Sequence, residues 1–187
     1  MSFDAFRSIR RLATLATGLI VVAGLSACQV RPLYSEASGT GTKLAAIAFS
    51  DASDRVGQVV RNQLIFLTSG GEGEASNPQY QVQLSVYSTY SDILDDEDAR
   101  GLQPGRVVVS GTYAISRVSD GQVLKSGSRR ATALLDVSRQ EFAELRSVRD
   151  AENRAARELA EFIRADLAIA LAKEPPQTPQ PQVTWQK

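Results

Sequence analysis

Few side chains in this sequence can do chemistry, and the shortage is informative. There is no histidine and a single cysteine, Cys28. Without histidine, the commonest general base, nucleophile activator and metal ligand is missing. One thiol can neither close an intrachain disulfide nor build a thiolate metal site, so no metal and no bound cofactor is expected. A catalyst would have to rest on Ser/Lys, Asp/Glu or Tyr alone, and no nucleophile motif presents itself. The chain is therefore not read as an enzyme. What remains to Cys28 is the chemistry of a thiol nucleophile, with the small residues Ser26 and Ala27 just before it.

Three charged groupings are the other candidates. Asp92, Asp95, Asp96, Glu97 and Asp98 suggest calcium, and Asp96-x-Asp98 followed by Gly101 imitates the start of an EF-hand loop. Arg100 occupies the next ligand position, however, and Val107 stands where the closing Glu belongs. A solvated acidic loop is the better reading. Glu152, Glu158 and Glu161 beside Arg154, Arg157 and Arg164 read as a charged helix face with local ion pairs, each worth a few tenths of a kcal/mol. Lys125 and Arg129 are four residues apart, so on a strand they share a face at roughly 13 Å, while Arg130 points the other way. On an open sheet face that pair could hold an anionic lipid headgroup. The competing reading is a guarded strand edge that discourages aggregation.

The N-terminus carries Arg7, Arg10 and Arg11, then the apolar run Leu12–Leu25, then small residues up to Cys28. A basic stretch, a short apolar stretch and a small-residue cleavage site form a secretory leader. As a spanning helix the run falls short of the roughly 20 apolar residues a bilayer needs. Arg10-Arg11 hints at twin-arginine export, but the surrounding residues are not the fuller motif. Leu25-Ser26-Ala27-Cys28 resembles the lipobox of bacterial lipoproteins. The resemblance implies cleavage after Ala27, a diacylglyceryl group on the Cys28 sulfur and an acyl chain such as palmitate on its freed amine. Two or three chains make such an anchor effectively permanent, whereas one does not. A plain leader followed by an incidental free thiol is the alternative. Gln29 stands where Asp would retain many such lipoproteins in the inner membrane, which implies export to the outer one.

These residues need elements to position them. Residues 28–42 read as a tether rich in Ser, Gly and Thr, and Lys43–Phe49 as a short buried strand. Asp51, Ser53 and Asp54 offer N-cap oxygens for a helix carrying Val56, Val60, Leu64 and Leu67, which stops at Gly70-Gly71. Gly57 costs that helix about 1 kcal/mol relative to alanine. Tyr80, Val82, Leu84 and Val86 then alternate with polar residues, as in a half-buried strand. Arg106–Val118 is the next strand, Asp120-Gly121 a two-residue type I′ turn, and Val123–Leu135 the last strand. Ser138 and Glu141 have capping-box spacing, with the closing helix starting in earnest nearer Ser147. Val148, Ala151, Ala155, Leu159, Phe162, Ile163, Leu167 and Ala170 form its apolar stripe. The order β-α-β-β-β-α implies an α+β fold: a four-stranded mixed sheet with two amphipathic helices packed on one face. The domain boundaries are a leader at 1–27, a lipidated tether at 28–42, a periplasmic domain at 43–172 and a Pro-rich disordered tail at 173–187. The charged residues balance to zero, and removing the leader leaves the chain nearly neutral, which excludes nucleic acid as a major partner.

Arg31-Pro32-Leu33-Tyr34 just after the cysteine resembles the start of the LPS-assembly lipoprotein family, outer-membrane partners of the lipopolysaccharide-translocating barrel. Tyr113, Asp136-Val137-Ser138, Asp150-Ala151 and the closing helix AENRAARELAEFIRADL fit the same pattern over most of Cys28–Ala172. The resemblance implies a lipid-anchored, periplasm-facing protein at the outer membrane. It would plug the barrel, assist its assembly and help insert lipopolysaccharide into the outer leaflet. Its partners would be the barrel, lipopolysaccharide and the membrane, with Lys125 and Arg129 as candidate lipid contacts. An accessory lipoprotein of an envelope ABC-type lipid transporter would share the leader, the size and the layout.

Overall fold

The computed structural model describes residues 39–93, 102–138 and 140–175, all of them within the second of two units, Leu33–Lys187. The leader, Cys28, most of the tether, the acidic segment from residue 94 to 101 and the tail from residue 176 lie outside the described residues. Seven elements follow one another: α1 (Thr40–Ala45), β1 (Ile47–Phe49), α2 (Arg55–Ser69), β2 (Tyr80–Asp92), β3 (Gln103–Arg117), β4 (Val123–Val137) and α3 (Glu141–Ala172). The strands lie in the order β1-β2-β3-β4. β1 runs parallel to β2 and the remaining neighbours are antiparallel. The α+β class, the mixed four-stranded sheet and the helix-covered face are as the sequence implies, with α1 as a third, short helix.

The period-two pattern decides which face is buried. Tyr80 and Val82 on β2, Val107, Val109, Tyr113 and Ile115 on β3, and Ala131, Ala133, Leu135 and Val137 on β4 turn inward. Val56, Val60 and Leu64 of α2 and Ala155, Leu159, Ile163, Leu167 and Leu171 of α3 meet them in one core. Burying a Val, Leu or Ile side chain contributes about 1.5–3 kcal/mol, so this layer is the main source of stability. No helix among the described residues is long and apolar enough to cross a membrane.

Several local expectations are corrected. The strand expected over Lys43–Phe49 is confined to Ile47–Phe49, because α1 takes Thr40–Ala45. Lys43 is thereby placed so that its Nζ donates to the carbonyls of Leu171 and Glu174 at the end of α3, where a cation satisfies orphan acceptors. Thr40 to Thr42, assigned to the tether, are thus helical. The β3–β4 turn is not type I′: Gly121 has φ 70°, but Asp120 does not share the positive φ that type I′ demands. Instead Gly121 N–H donates to Arg117 O, and Arg117 N–H to Gln122 O, closing a longer loop. α3 starts at Glu141 and not near Ser147, and Ser138 does not cap it. Its hydroxyl accepts from Gln140 N–H at 3.3 Å, and Gln140 is the N-cap residue. Phe162, placed on the apolar stripe, is 41% exposed.

The cap expected for α2 is present at Asp54, whose Oδ1 accepts from Gly57 N–H at 2.6 Å. A Cβ on Gly57 would stand 3.0 Å from that same oxygen. The helix-weakening glycine leaves room for the cap.

Candidate functional site

α3 has 32 residues and, at 1.5 Å per residue, is about 48 Å long. On its buried side, among Ile163, Leu167 and Leu171, stands one acid: Asp166, 4% exposed. An isolated carboxylate there would be costly, and the sheet supplies its partners. Tyr113 Oη of β3 donates to Oδ2 at 2.6 Å. Lys125 Nζ of β4 donates to Oδ1 at 3.0 Å. Arg129 donates through Nε to Oδ2 at 2.7 Å and through Nη2 to Oδ1 at 2.8 Å, a two-pronged grip. Each carboxylate oxygen thus accepts two hydrogen bonds, its full capacity. The Arg129 guanidinium, aided by Tyr113 and Lys125, holds the Asp166 carboxyl well below the usual carboxylate range. Burial, reinforced by the bond to Asp166, pushes the Tyr113 hydroxyl far above its ordinary value. A permanently ionised, fully bonded acid is no proton shuttle. The cluster is a structural clasp with a net charge of +1.

The expected geometry of Lys125 and Arg129 is half right. They do share a face, and Arg130 lies on the other. That face is not open, however: α3 covers it, and both cations are spent on Asp166. Asp166 escaped sequence reading, although a visible signal marked it. It sits three residues after Ile163 and next to Leu167, an acid within an apolar stripe, and such a residue needs buried cations.

The other charged groupings separate. Asp92 accepts a hydrogen bond from the Tyr90 hydroxyl, while the rest of the acidic cluster lies outside the described residues. Among the described residues no group of acids or sulfurs could hold a metal. On α3, Arg164 pairs with Glu161 as expected and Arg154 with Asp150. Glu152 instead reaches across to Arg55 of α2 and accepts from Ser88 of β2.

The two ends of α3 differ. At its C-terminal end Lys43 caps the carbonyls and Arg117 grips Glu174, so residue 39 and residue 175 leave the domain at one pole. At the other end none of residues 141–150 is buried. Phe142 is 84% exposed, with Leu145 exposed one turn on, and Ile93, Leu102 and Leu134 are bare toward the same end of the sheet. These exposed apolar residues gather toward one tip of the domain. Sequence reading missed it because the period of the helix runs on unchanged past the end of the core.

The chain shares its fold with a solved structure. A candidate lipoprotein from Caulobacter crescentus superposes with a TM-score of 0.60 at 24% identity, over 74% of this chain and 99% of that one. Rare lipoprotein B from Shewanella oneidensis gives 0.47 at 14%, over 67% and 93%, and a minor lipoprotein from Acinetobacter baumannii gives 0.44 at 15%, over 66% and 88%. Only the first of these carries weight, and it establishes the fold alone. No protein-family model and no curated protein matches the chain.

Proposed function

We propose that the chain is the precursor of an outer-membrane lipoprotein, cleaved after Ala27 and lipidated at Cys28. Its domain plugs the lipopolysaccharide-translocating barrel, assists its assembly and helps insert lipopolysaccharide into the outer leaflet. It faces the periplasm and needs no cofactor beyond the acyl groups on Cys28. The observation that carries this reading is the polarity of the domain. The tether joins at the C-terminal pole of α3, and the apolar tip at Phe142 stands roughly 46 Å away by helix rise. That exceeds the roughly 30 Å of a hydrocarbon core. A body anchored at its base is therefore long enough to reach deep into a membrane-spanning barrel with its tip foremost. The outer face of the sheet is lined mainly by Ser, Thr and Gln, which suits the polar interior of a large barrel. The clasp at Asp166 fastens β4 to α3.

The test is affinity purification of the lipidated mature protein from its own membranes. Recovery of a large outer-membrane barrel in stoichiometric amount is expected. Recovery of an inner-membrane transporter complex instead would replace this reading by that of an accessory lipoprotein of an ABC-type lipid transporter.

A further inference from the structure

The two edges of the sheet are treated differently. β1 spans 3 residues, and side chains take up its outward backbone. Phe49 N–H donates to Glu74 Oε1 at 2.7 Å. Arg61 donates through Nη2 to the Phe49 carbonyl at 3.5 Å and through Nε to that of Ser50 at 3.1 Å. Glu74 and Arg61 are themselves paired at 2.7 Å. β4, the opposite edge, spans 15 residues, about 50 Å of strand. Among the described residues no strand lies on its outer side, toward which every second residue turns both its N–H and its C=O. Near its end Arg154 donates to the Leu134 carbonyl. Free cations commonly guard such an edge, but Lys125 and Arg129 are turned onto Asp166.

Beside this edge lies an apolar flank. Phe162 and Ile169 of α3, two turns apart on one side of the helix, are 41% and 42% exposed. They line one open concavity together with Arg129, and its wall passes β4 at Ser128 and Arg130 to reach Tyr87 on the other face of the sheet. The space thus takes in both sides of the β4 edge, with an apolar wall toward α3 and a guanidinium on the outer side. Backbone groups open to pairing, flanked by side-chain surfaces of two different kinds, are what an added strand recognises.

Charge says which strand. β4 carries Lys125, Arg129 and Arg130 against one acid, Asp136, near its far end. Opposite charges across a strand pair stabilise it, and like charges directly opposite destabilise it. A second copy paired antiparallel through the middle of β4 would set these cations against one another. Residues 176–187 of this chain contain no acid, and Pro176, Pro179 and Pro181 among them lack the N–H that a ladder uses.

We propose that the edge of β4 takes up, as a fifth strand, an extended segment of a partner protein in which apolar and acidic residues alternate. The apolar side chains lie over Phe162 and Ile169, the acids beside Arg130, and the backbone pairs with β4. This inference does not depend on the barrel reading, and failure of a barrel to co-purify leaves it standing.

The test is titration of the ¹⁵N-labelled mature protein, in detergent, with a synthetic peptide of alternating Val and Glu, about ten residues long to match Leu124–Ala133 by strand rise. Every second amide of that stretch should shift and exchange more slowly with solvent. Methylating alternate backbone nitrogens of the peptide should weaken binding at least about tenfold, and Arg130→Glu should do the same. A peptide with Lys in place of Glu should bind the parent poorly and recover affinity for the Arg130→Glu variant, which also shows that variant to be folded. Equal binding of the methylated peptide would reduce the contact to charge attraction and overturn the added strand. Alternate β4 amides already protected in the free protein would overturn it too: loss of that protection on dilution assigns the edge to a second copy, and loss on deleting residues 176–187 assigns it to the chain's own tail.

Discussion

Arg129 of β4 and Asp166 of α3 meet fork to fork, with Nε and Nη2 of one guanidinium on the two oxygens of one carboxylate at 2.7 and 2.8 Å. Together with the Lys125 bond to the same carboxylate, this contact ties the edge strand to the long helix. Arg129 is itself half exposed, so the contact closes the core at its rim and not within it.

Removal of Asp166 should therefore be costly. Asp166→Ala leaves Lys125, Arg129 and the Tyr113 hydroxyl without their acceptor. Breaking a fully buried pair costs roughly 3–5 kcal/mol. Both cations here can turn to water, so about 2 kcal/mol is expected. Tyr113→Phe, which removes one bond and leaves the charges paired, should cost about 1 kcal/mol. Urea unfolding measures both, and equal costs for the two variants would contradict the clasp.

The same cluster sets the pH limits of stability. Asp166 has a folded pKa depressed below its ordinary value. Its contribution is present above the unfolded carboxylate range and is lost as pH falls below about 4. At the alkaline end Tyr113 is raised by burial and by Asp166. Tyr90 is pushed up to about 12 by burial and by Asp92. Groups raised on folding contribute stability below their unfolded pKa of about 10 and lose it as pH climbs beyond. Urea midpoints should hold from neutrality to about pH 10 and decline above it. Asp166→Asn should flatten the acid limb, and an acid limb unchanged in that variant would contradict the assignment.

Gly127 faces Tyr113 across the β3–β4 ladder, and a Cβ there would lie 2.8 Å from the tyrosine oxygen and 3.0 Å from its ring carbon. The missing side chain lets the ring lie flat over β4 and reach Asp166. Gly127→Ala should destabilise by about 1–3 kcal/mol through overpacking. Combining it with Tyr113→Leu should cost less than the sum of the two single changes, as expected for residues in contact. Strict additivity in a double-mutant cycle would refute the close approach.

The proposed lipid anchor gives a fourth expectation. Cys28→Ser should yield a folded domain that keeps its leader and is mislocalised, because the hydroxyl cannot replace the thiolate as acceptor of the diacylglyceryl group. Mass spectrometry of the membrane fraction checks it, and normal processing and sorting of the variant would defeat the lipobox reading.

Much of the fold was legible because it is carried by periodicity. Tyr80 to Val86 alternate, α3 repeats at helical spacing, and the Gly70-Gly71 pair ends α2 where φ turns positive. Missed features were decided by partners distant in sequence. Lys43 and Leu44 lie in a helix because α3 offers carbonyls to Lys43 and Leu44 enters the core, facts absent from KLAAIAF itself. Lys125 and Arg129 were correctly put on one face, but whether that face is open depends on Asp166, 37 residues beyond Arg129. The anchor proposed at Cys28 rests on local sequence alone, in a segment outside the described residues.

The tip separates function from stability. Phe142 and Leu145 are exposed on the part of α3 where no residue is fully buried, so Phe142→Glu and Leu145→Glu should leave the unfolding free energy within about 0.5 kcal/mol of the parent. If the tip is the surface that meets the barrel interior, a charge there places an ion in a desolvated contact, and recovery of the barrel in affinity purification should fall sharply. The hairpin residue Val118, exposed at the opposite pole, is the matched control: Val118→Glu should leave recovery unchanged. Loss of the barrel from the Val118 variant and its retention by the Phe142 variant would reverse the orientation of the domain and put the tether's pole, not the helix tip, deepest in the partner.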